Sequence, residues 1–197
     1  AAQLDSAPEM ANRNFLSRNE RRNNRIARLG TTIQHTFDEN REISGSLWTE
    51  AKKLQRSERN RFRDFNRGHV GATGVLVQRA TLSEKARATF SLGGDEAWQD
   101  GSVLFYNLGP GGSRGPNQIA DSREAANSAG GFLQGEVTLN DTWSARVAAR
   151  YDDVYYLSED HIDPKLNAKH TFARWTPKAS LSWFKERHTV FVSLGGG

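Results

Sequence analysis

The stretch from Gly131 to Asp153 constrains the fold most, because it alternates strictly on both sides of one short turn. Before the Asn140-Asp141 turn, apolar and polar residues take opposite parities, which is the period-two pattern of a β-strand. After the turn the apolar positions are Trp143, Ala145, Val147, Ala149 and Tyr151. The pattern predicts a hairpin with one apolar, or dry, face and one polar, or wet, face. Its second strand spans about ten residues and its dry face begins and ends in aromatic residues, as transmembrane β-strands do.

Composition removes several other classes of protein. Hydrophobic residues make up 36% of the 197 residues and the mean hydropathy is -0.72. No apolar run approaches the roughly 18 residues of a membrane helix, whereas a β-barrel passes this test because half of each strand is polar. The absence of cysteine excludes disulfides, thiolate metal sites and cysteine nucleophiles. A formal net charge of +4 is too mild to indicate a nucleic-acid partner, and we expect none.

The connections between the predicted strands alternate in length. Short turns are predicted at Asp38, Leu82, Asn140 and Lys185, and long loops near Lys53, Leu108 and Tyr156. The charged run 52–65 is interpreted as an exposed loop, with a short helix as the alternative, and the glycine-rich segment from 108 as a flexible loop that ends near 128. Residues 1–24 are interpreted as a solvated segment before the first strand. Sorted connections of this kind predict an antiparallel up-and-down transmembrane β-barrel, of which about eight strands are visible as an open, curved sheet.

Enzyme chemistry finds little support in the sequence. Asp152 and Asp153 are adjacent on a strand and point to opposite faces, so they cannot share a proton. Ser180 lies near a lysine but in no nucleophile motif. His161 with Asp160 and Asp163 could hold a metal in a loop, but no second ligand cluster accompanies them. We therefore expect no catalytic residues, no metal site and no cofactor.

Charged residues distinguish the two faces of the predicted wall. A charged side chain on a lipid-facing strand costs about 2 to 4 kcal/mol near the midplane, whereas in a lumen it is hydrated or paired. The wet-face residues predicted to line the lumen are Glu136, Arg146, Arg150 and Lys178. The dry-face residues predicted to meet lipid are Trp143, Val147, Tyr151, Leu181 and Trp183.

The stretch GGFLQGEVTLNDTWSARVAARYDD, with its closing Arg150, Tyr151 and Asp152, resembles the barrel strands of TonB-dependent outer-membrane receptors, particularly those for iron-siderophore complexes. The runs 174–183 and 189–197 are similar to the strands that follow in that family. The resemblance implies a barrel of about 22 strands closed by an N-terminal plug. It predicts that residues 1–197 form part of the barrel domain, with the plug domain and the C-terminal strands outside the chain.

The resemblance also implies partners and ligand contacts. The partners would be outer-membrane lipid, an iron-siderophore ligand and the TonB energy-transducing complex, the last through the plug domain, in the outer membrane of a bacterial cell. Ligand contacts in the family come from aromatic and arginine residues on extracellular loops and on the upper wall. Residues of those types in the matching regions are Tyr106, Arg114, Tyr155, Tyr156 and His161.

The expected function is therefore TonB-dependent uptake of a ferric siderophore or similar iron chelate. Two alternatives stay open at this point: a passive porin-like or adhesin barrel, and a soluble all-β carbohydrate-binding module. In the soluble module the dry face would be buried against a second sheet. The substrate of a TonB-dependent barrel also stays open among iron chelates, cobalamin and sugars.

Overall fold

The computed structural model describes residue 16 and residues 18–196 and contains one antiparallel sheet of eight strands in sequential order. The strands are β1 (Arg21–Asp38), β2 (Arg41–Glu58), β3 (Arg61–Ser83), β4 (Ala86–Leu108), β5 (Arg114–Leu139), β6 (Trp143–Asp160), β7 (Ala168–Lys185) and β8 (His188–Gly195). Two short 3₁₀ turns lie at Pro110–Gly112 and Pro164–Leu166. The predicted all-β, up-and-down topology is confirmed. No helix among the described residues is long and apolar enough to cross a bilayer.

The four predicted short turns are confirmed and lie at one end of the sheet, which we call the lower end. They occupy residues 39–40, 84–85, 140–142 and 186–187. Asn140 and Asp141 have φ of 51° and 54°, the left-handed conformation that tight hairpin turns need and that Asn and Asp tolerate. The opposite or upper end carries the connections at 59–60, 109–113 and 161–167.

The prediction of a loop or helix over the charged run 52–65 is wrong. This run forms the upper parts of β2 and β3, joined by a two-residue turn in which Arg59 and Asn60 have φ of 48° and 64°. Its charges are neutralised locally: Glu58 lies 3.2 Å from Arg63 and also pairs with Arg56. A strand that is polar on both faces has no period-two pattern, so its sequence does not reveal it.

The other two predicted long loops are also shorter than expected. Strand β5 begins at Arg114, so the connection after β4 is only Gly109–Ser113, made compact by Gly111 and Gly112 with φ of 62° and 73°. The long loop predicted near Tyr156 shrinks to residues 161–167. Most residues of the predicted long loops therefore belong to strands that extend far toward the upper end. Strand β1 likewise begins at Arg21, inside the predicted solvated segment 1–24, and residues 1–15 and 17 of that segment lie outside the described residues.

Buried side chains are concentrated at the upper end of β2–β5. Tyr106 is 3% exposed and Ser57 is 1% exposed. The Ser57 hydroxyl donates to the Asn19 carbonyl oxygen at 2.8 Å and accepts from the Arg21 backbone N–H at 3.0 Å. Asn19 and Arg21 in turn donate from their side chains to the carbonyl oxygen of Gly111, at 3.0 and 3.1 Å. These bonds tie the start of β1 across the β2–β3 turn to the β4–β5 connection.

A row of four glycines crosses the middle of the sheet on one face. Gly45 is opposite Gly74, Gly74 is opposite Gly94, and Gly94 is opposite Gly131. Tyr151 ends the row on β6. The glycines leave a shallow furrow across four adjacent strands.

Candidate functional site

The register gives the sheet one polar and one apolar face, since directly opposed residues of neighbouring strands share a face. Glu136 is opposite Arg146, and Ala148 is opposite Lys178; with Arg150 these residues belong to the polar face. Trp143 is opposite Trp183, and Ala145 is opposite Leu181; with Val147 and Tyr151 these belong to the apolar face. The residues predicted for the lumen thus share one face, and those predicted for lipid share the other.

The polar face carries a network of ion pairs at the level of the apolar side chains behind it. Glu136 lies 2.7 Å from Arg146 and accepts from the Ser144 hydroxyl at 2.8 Å. Arg150 lies between two carboxylates, 2.8 Å from Asp95 and 2.7 Å from Asp152. Paired charges of this kind are stable in a hydrated interior and would be costly in hydrocarbon.

The apolar face carries a belt bounded by aromatic residues on three strands. Each of β4, β6 and β7 has two aromatic residues eight positions apart on this face: Phe90 and Trp98, Trp143 and Tyr151, Trp175 and Trp183. Eight residues of strand span about 27 Å, which becomes about 20 Å along the membrane normal at a tilt of about 40°. The spacing fits an apolar band between two membrane interfaces. Within the described residues no second sheet covers this face, and Val147 at its centre is 64% exposed.

The structure does not bring the five predicted ligand residues together at one site, although Tyr106 and Arg114 contact each other. Four of the five lie in strands rather than in loops, and only His161 is in a connection. The Arg114 guanidinium carbon lies 3.7 Å from the centroid of the Tyr106 ring and its nitrogen donates to the Tyr106 hydroxyl. Because Tyr106 is almost fully buried, this pair serves the packing of the upper end and offers no free ring face.

The other three predicted residues separate at the upper end of β6. Tyr155 is opposite Thr171 on the apolar face, whereas Tyr156 is opposite His170 on the polar face and is 50% exposed. The alternation of the strand therefore leaves only Tyr156 of these two tyrosines on the face that is predicted to line the lumen. The Nδ1 atom of His161 lies 2.9 Å from a carboxylate oxygen of Asp121, which ties the 161–167 loop to β5.

The polar face of β2 and β3 carries a recess of about 240 Å³ that no sequence pattern indicates, lined by Lys52, Leu54, Phe65, Arg67 and His69. Lys52 and Arg67 are directly opposed, and Arg67 lies 2.7 Å from Glu124 of β5. The Nε2 atom of His69 is buried and has no hydrogen-bond partner among residues 18–196. The lining residues occupy alternate positions, 52 and 54 on one strand and 65, 67 and 69 on the next. This pattern would predict the recess only if the turn at 59–60, which sets the pairing of the two strands, were already known.

A second missed feature is a group of exposed aromatic rings on the upper polar face. The rings of Tyr156 and Phe172 have centroids 6.3 Å apart, and His170 lies 6.2 Å from Phe172 in a stacked arrangement. Phe172 is 60% exposed. These rings offer flat apolar surface beside polar groups, which suits an aromatic portion of a ligand.

The 161–167 loop is held by the carboxylate of Asp160, beyond the aromatic belt. Its Oδ1 atom accepts from the backbone N–H groups of Asp163 and Ile162, both at 2.8 Å. These two hydrogen bonds hold the pKa of Asp160 below its usual range. Because the pKa is lowered by folding, the stabilisation is present above the usual carboxyl pKa and is lost as the pH falls through the lowered value.

Amide exchange in this loop is therefore expected to respond to acid. Protection of the Ile162 and Asp163 amides should be constant from about pH 5 to 7 and should fall below about pH 4. Hydrogen–deuterium exchange, expressed as protection factors, measures this. The D160A variant should lack the protection at every pH, and an unchanged pH profile in that variant would show that another group holds the loop.

On the apolar face, a second ionic cluster lies above the belt. Arg123 of β5 binds Asp100 of β4 at 2.7 Å and Glu159 of β6 at 3.0 Å. The hydrogen bond from Arg123 lowers the pKa of Asp100, and the two acids raise the pKa of Arg123. The charges of this cluster are compensated across three strands.

Residues 4–197 match the family described as TonB dependent receptor-like, beta-barrel. Among curated proteins, none is significantly similar to the chain in sequence. Solved structures with a similar fold include the ferric citrate transporter FecA in unliganded form (TM-score 0.73, 11% identity), the siderophore receptor PiuA from Acinetobacter baumannii (0.71, 10%) and the ferric-catecholate import receptor Fiu from E. coli K12 in its open form (0.70, 8%). These alignments cover 88%, 88% and 89% of this chain but 27%, 32% and 36% of those proteins, so the chain spans about a third of their length. At such identities the likeness concerns the fold.

Proposed function

The chain belongs to the TonB-dependent receptor β-barrel family, and from that premise we propose that it forms barrel wall in a receptor that takes up a ferric siderophore or similar iron chelate across the outer membrane. In this proposal the apolar face meets outer-membrane lipid, and the polar face lines the lumen. The plug domain and the remaining strands lie outside residues 1–197, and the plug connects the barrel to the TonB energy-transducing complex. The proposed location is the cell outer membrane.

The recess beside Lys52 and Arg67 is the observation that carries the choice of an anionic iron chelate. Two directly opposed cations repel one another unless an anion lies between them or beside them. Arg67 has Glu124 as a partner, whereas Lys52 has no ion-pair partner among residues 18–196. Ammonium and guanidinium groups in a half-enclosed site bind carboxylate and other oxyanions through charge-assisted hydrogen bonds.

Aromatic rings on the polar face add apolar contact surface to the cationic recess. Phe65 lines the recess and meets Phe105 edge to face, with ring centroids 5.8 Å apart. The exposed rings of Tyr156 and Phe172 lie on the same face of the sheet, on β6 and β7. A ligand with anionic groups around iron and an apolar or aromatic periphery would satisfy both features. The three similar receptors named above act on ferric citrate, a siderophore and ferric catecholate by their descriptions, which agrees with this chemistry.

Removing the Lys52 charge should weaken chelate binding. We expect K52Q in the full-length receptor to lower the affinity for an anionic ferric chelate by about tenfold, the effect of losing one charge-assisted contact. Titration against a panel of ferric chelates, followed by tryptophan fluorescence, measures this. K169Q removes the same charge from the apolar face of β7 and should leave the affinity unchanged. Equal affinities of the wild type and K52Q for every anionic chelate would contradict the placement of the site.

Energy dependence separates the receptor from a passive pore. Uptake of iron-55 chelate by intact cells should saturate with chelate concentration. It should stop when the proton-motive force is collapsed, because TonB-dependent transport is energised by the proton-motive force of the inner membrane. Uptake that continues after the collapse would favour the porin-like alternative. Removal of the plug-encoding segment should convert the energy-dependent uptake into passive leakage.

A further inference from the structure

Two cations are opposed on the apolar face of β1 and β2. Arg25 is the direct partner of Lys53, and both side chains are exposed. Lys53 is opposite Asn66, which is opposite Ser102, which is opposite Arg123, so the register places the pair on the outer face rather than in the lumen. Directly opposed like charges destabilise a sheet, unless an anion bridges them.

Arg123 lies in the same row of the same face but differs from Arg25 and Lys53 in its ion-pair partners. Arg123 is compensated by two acids, whereas neither Arg25 nor Lys53 forms an ion pair with any carboxylate in residues 18–196. Asp64 shares their face on β3, but its carboxylate accepts from the Gln55 amide at 3.2 Å. The wall therefore leaves a concentrated positive charge at this position.

The pair lies at the upper border of the apolar belt. On β1 and β2 the belt residues include Leu29, Ile33 and Leu47, which are 74%, 67% and 54% exposed. The β1–β2 turn is bonded to Arg79 rather than to the β3–β4 turn at 84–85, an offset of about five residues that tilted strands produce. Thr49 of β2 is in the same cross-strand row as Trp98 of β4. Because of the offset, the position on β2 at the height of Trp98 lies about five residues beyond Thr49, which is close to Lys53. Lys53 is therefore at the height of the upper aromatic boundary.

We propose that Arg25 and Lys53 bind a phosphate group of a lipid headgroup in the outer leaflet. The apolar belt below them contacts the acyl chains, and the two cations lie where headgroup phosphates are found. Long arginine and lysine side chains bend toward an interface, so both can reach one phosphate. The bound phosphate would also relieve the repulsion between the two strands.

The proposal is tested on the full-length receptor purified in detergent, with binding of defined lipids measured by native mass spectrometry. The probes are diphosphorylated lipid A, its dephosphorylated form and inorganic phosphate. The R25Q/K53Q variant should bind diphosphorylated lipid A about 25-fold more weakly than the wild type, since each cation near a membrane surface contributes about fivefold. The K85Q/R187Q variant removes two exposed cations from lower turns and should bind it as the wild type does.

The other probes establish the source of the phosphate. Dephosphorylated lipid A should bind weakly and equally to all variants, and inorganic phosphate should not displace the lipid at millimolar concentration. Equal binding of diphosphorylated lipid A to R25Q/K53Q and the wild type would overturn the proposal. So would full displacement by inorganic phosphate, which would indicate an anion site without lipid selectivity.

A single variant separates binding from folding. R25E places opposite charges across β1 and β2, so the resistance to thermal unfolding should be at least that of the wild type, whereas lipid binding should fall as in R25Q/K53Q. Retained lipid binding in R25E would overturn the proposal even if R25Q/K53Q folds poorly. The inference rests on the orientation in the proposed function, but its readout is independent of transport. Wild-type cells that fail to take up any chelate would refute the proposed function and leave the lipid measurement intact.

Discussion

Replacement of Val147 by arginine is expected to prevent most of the protein from reaching its folded, membrane-inserted form. Val147 lies midway between Trp143 and Tyr151 on the apolar face and is 64% exposed. A guanidinium at this depth would meet hydrocarbon at a cost of about 2 to 4 kcal/mol. The measurement is the urea midpoint of folding into lipid vesicles, together with the fraction of heat-resistant barrel on unboiled gels.

The matched control is arginine at Gln134, on the neighbouring strand and the opposite face. Gln134 is opposite Ala148, one position from Val147, so both substitutions introduce the same charge at nearly the same depth. Q134R should lower the folding free energy by less than about 1 kcal/mol, because the polar face is hydrated and its charges are paired. If Q134R is the more damaging of the two, the assignment of the faces is reversed.

Substitution of Gly101 by alanine is expected to have the second large effect. Gly101 of β4 lies between Arg67 of β3 and Glu124 of β5. A Cβ atom there would overlap the Asn66 carbonyl oxygen and would lie 2.8 Å from the Arg67 Cα. Backbone atoms cannot move aside as a side chain can, so β3 and β4 must separate locally, at a cost of about 1 to 3 kcal/mol. Chelate affinity should fall as well, since Arg67 lines the recess.

Gly68, beside Arg67 on β3, provides the control for this prediction. Its added Cβ would meet nothing closer than the Asp100 carbonyl oxygen at 3.9 Å. G68A should therefore match the wild type in both the urea midpoint and the chelate titration. If G68A and G101A behave alike, the effect of G101A comes from the general loss of a strand glycine and not from the close approach of the two backbones.

The strands that cross the belt could be predicted from the sequence because their two faces differ. From Gly131 to Asp153 each position alternates between an apolar and a polar environment, and the tight turn at Asn140-Asp141 carries residues that accept positive φ. The pairing of Trp143 with Trp183 follows the same alternation. Which of the two faces meets lipid stays a prediction, which V147R and Q134R test.

The upper parts of the strands could not be predicted in the same way. Above the belt both faces are polar, so the run around Arg59 and Asn60 has the composition of a loop although it forms a hairpin. The recess joins positions from two strands and a third strand supplies Glu124, a combination that depends on register rather than on any local motif. The resemblance likewise indicates Tyr106 and Arg114 as ligand residues by residue type, although the Arg114 guanidinium stacks on the buried Tyr106 ring.

The glycine row from Gly45 to Gly131 has a mechanical consequence for the wall. Side chains on one face of a sheet resist its folding toward that face, and four neighbouring strands lack them at the same level. Glycine positions are where closed sheets concentrate their curvature. We expect the wall to bend along this line toward the apolar face, so that β2–β5 flex at the level of the glycines while β6 and β7 keep their shape.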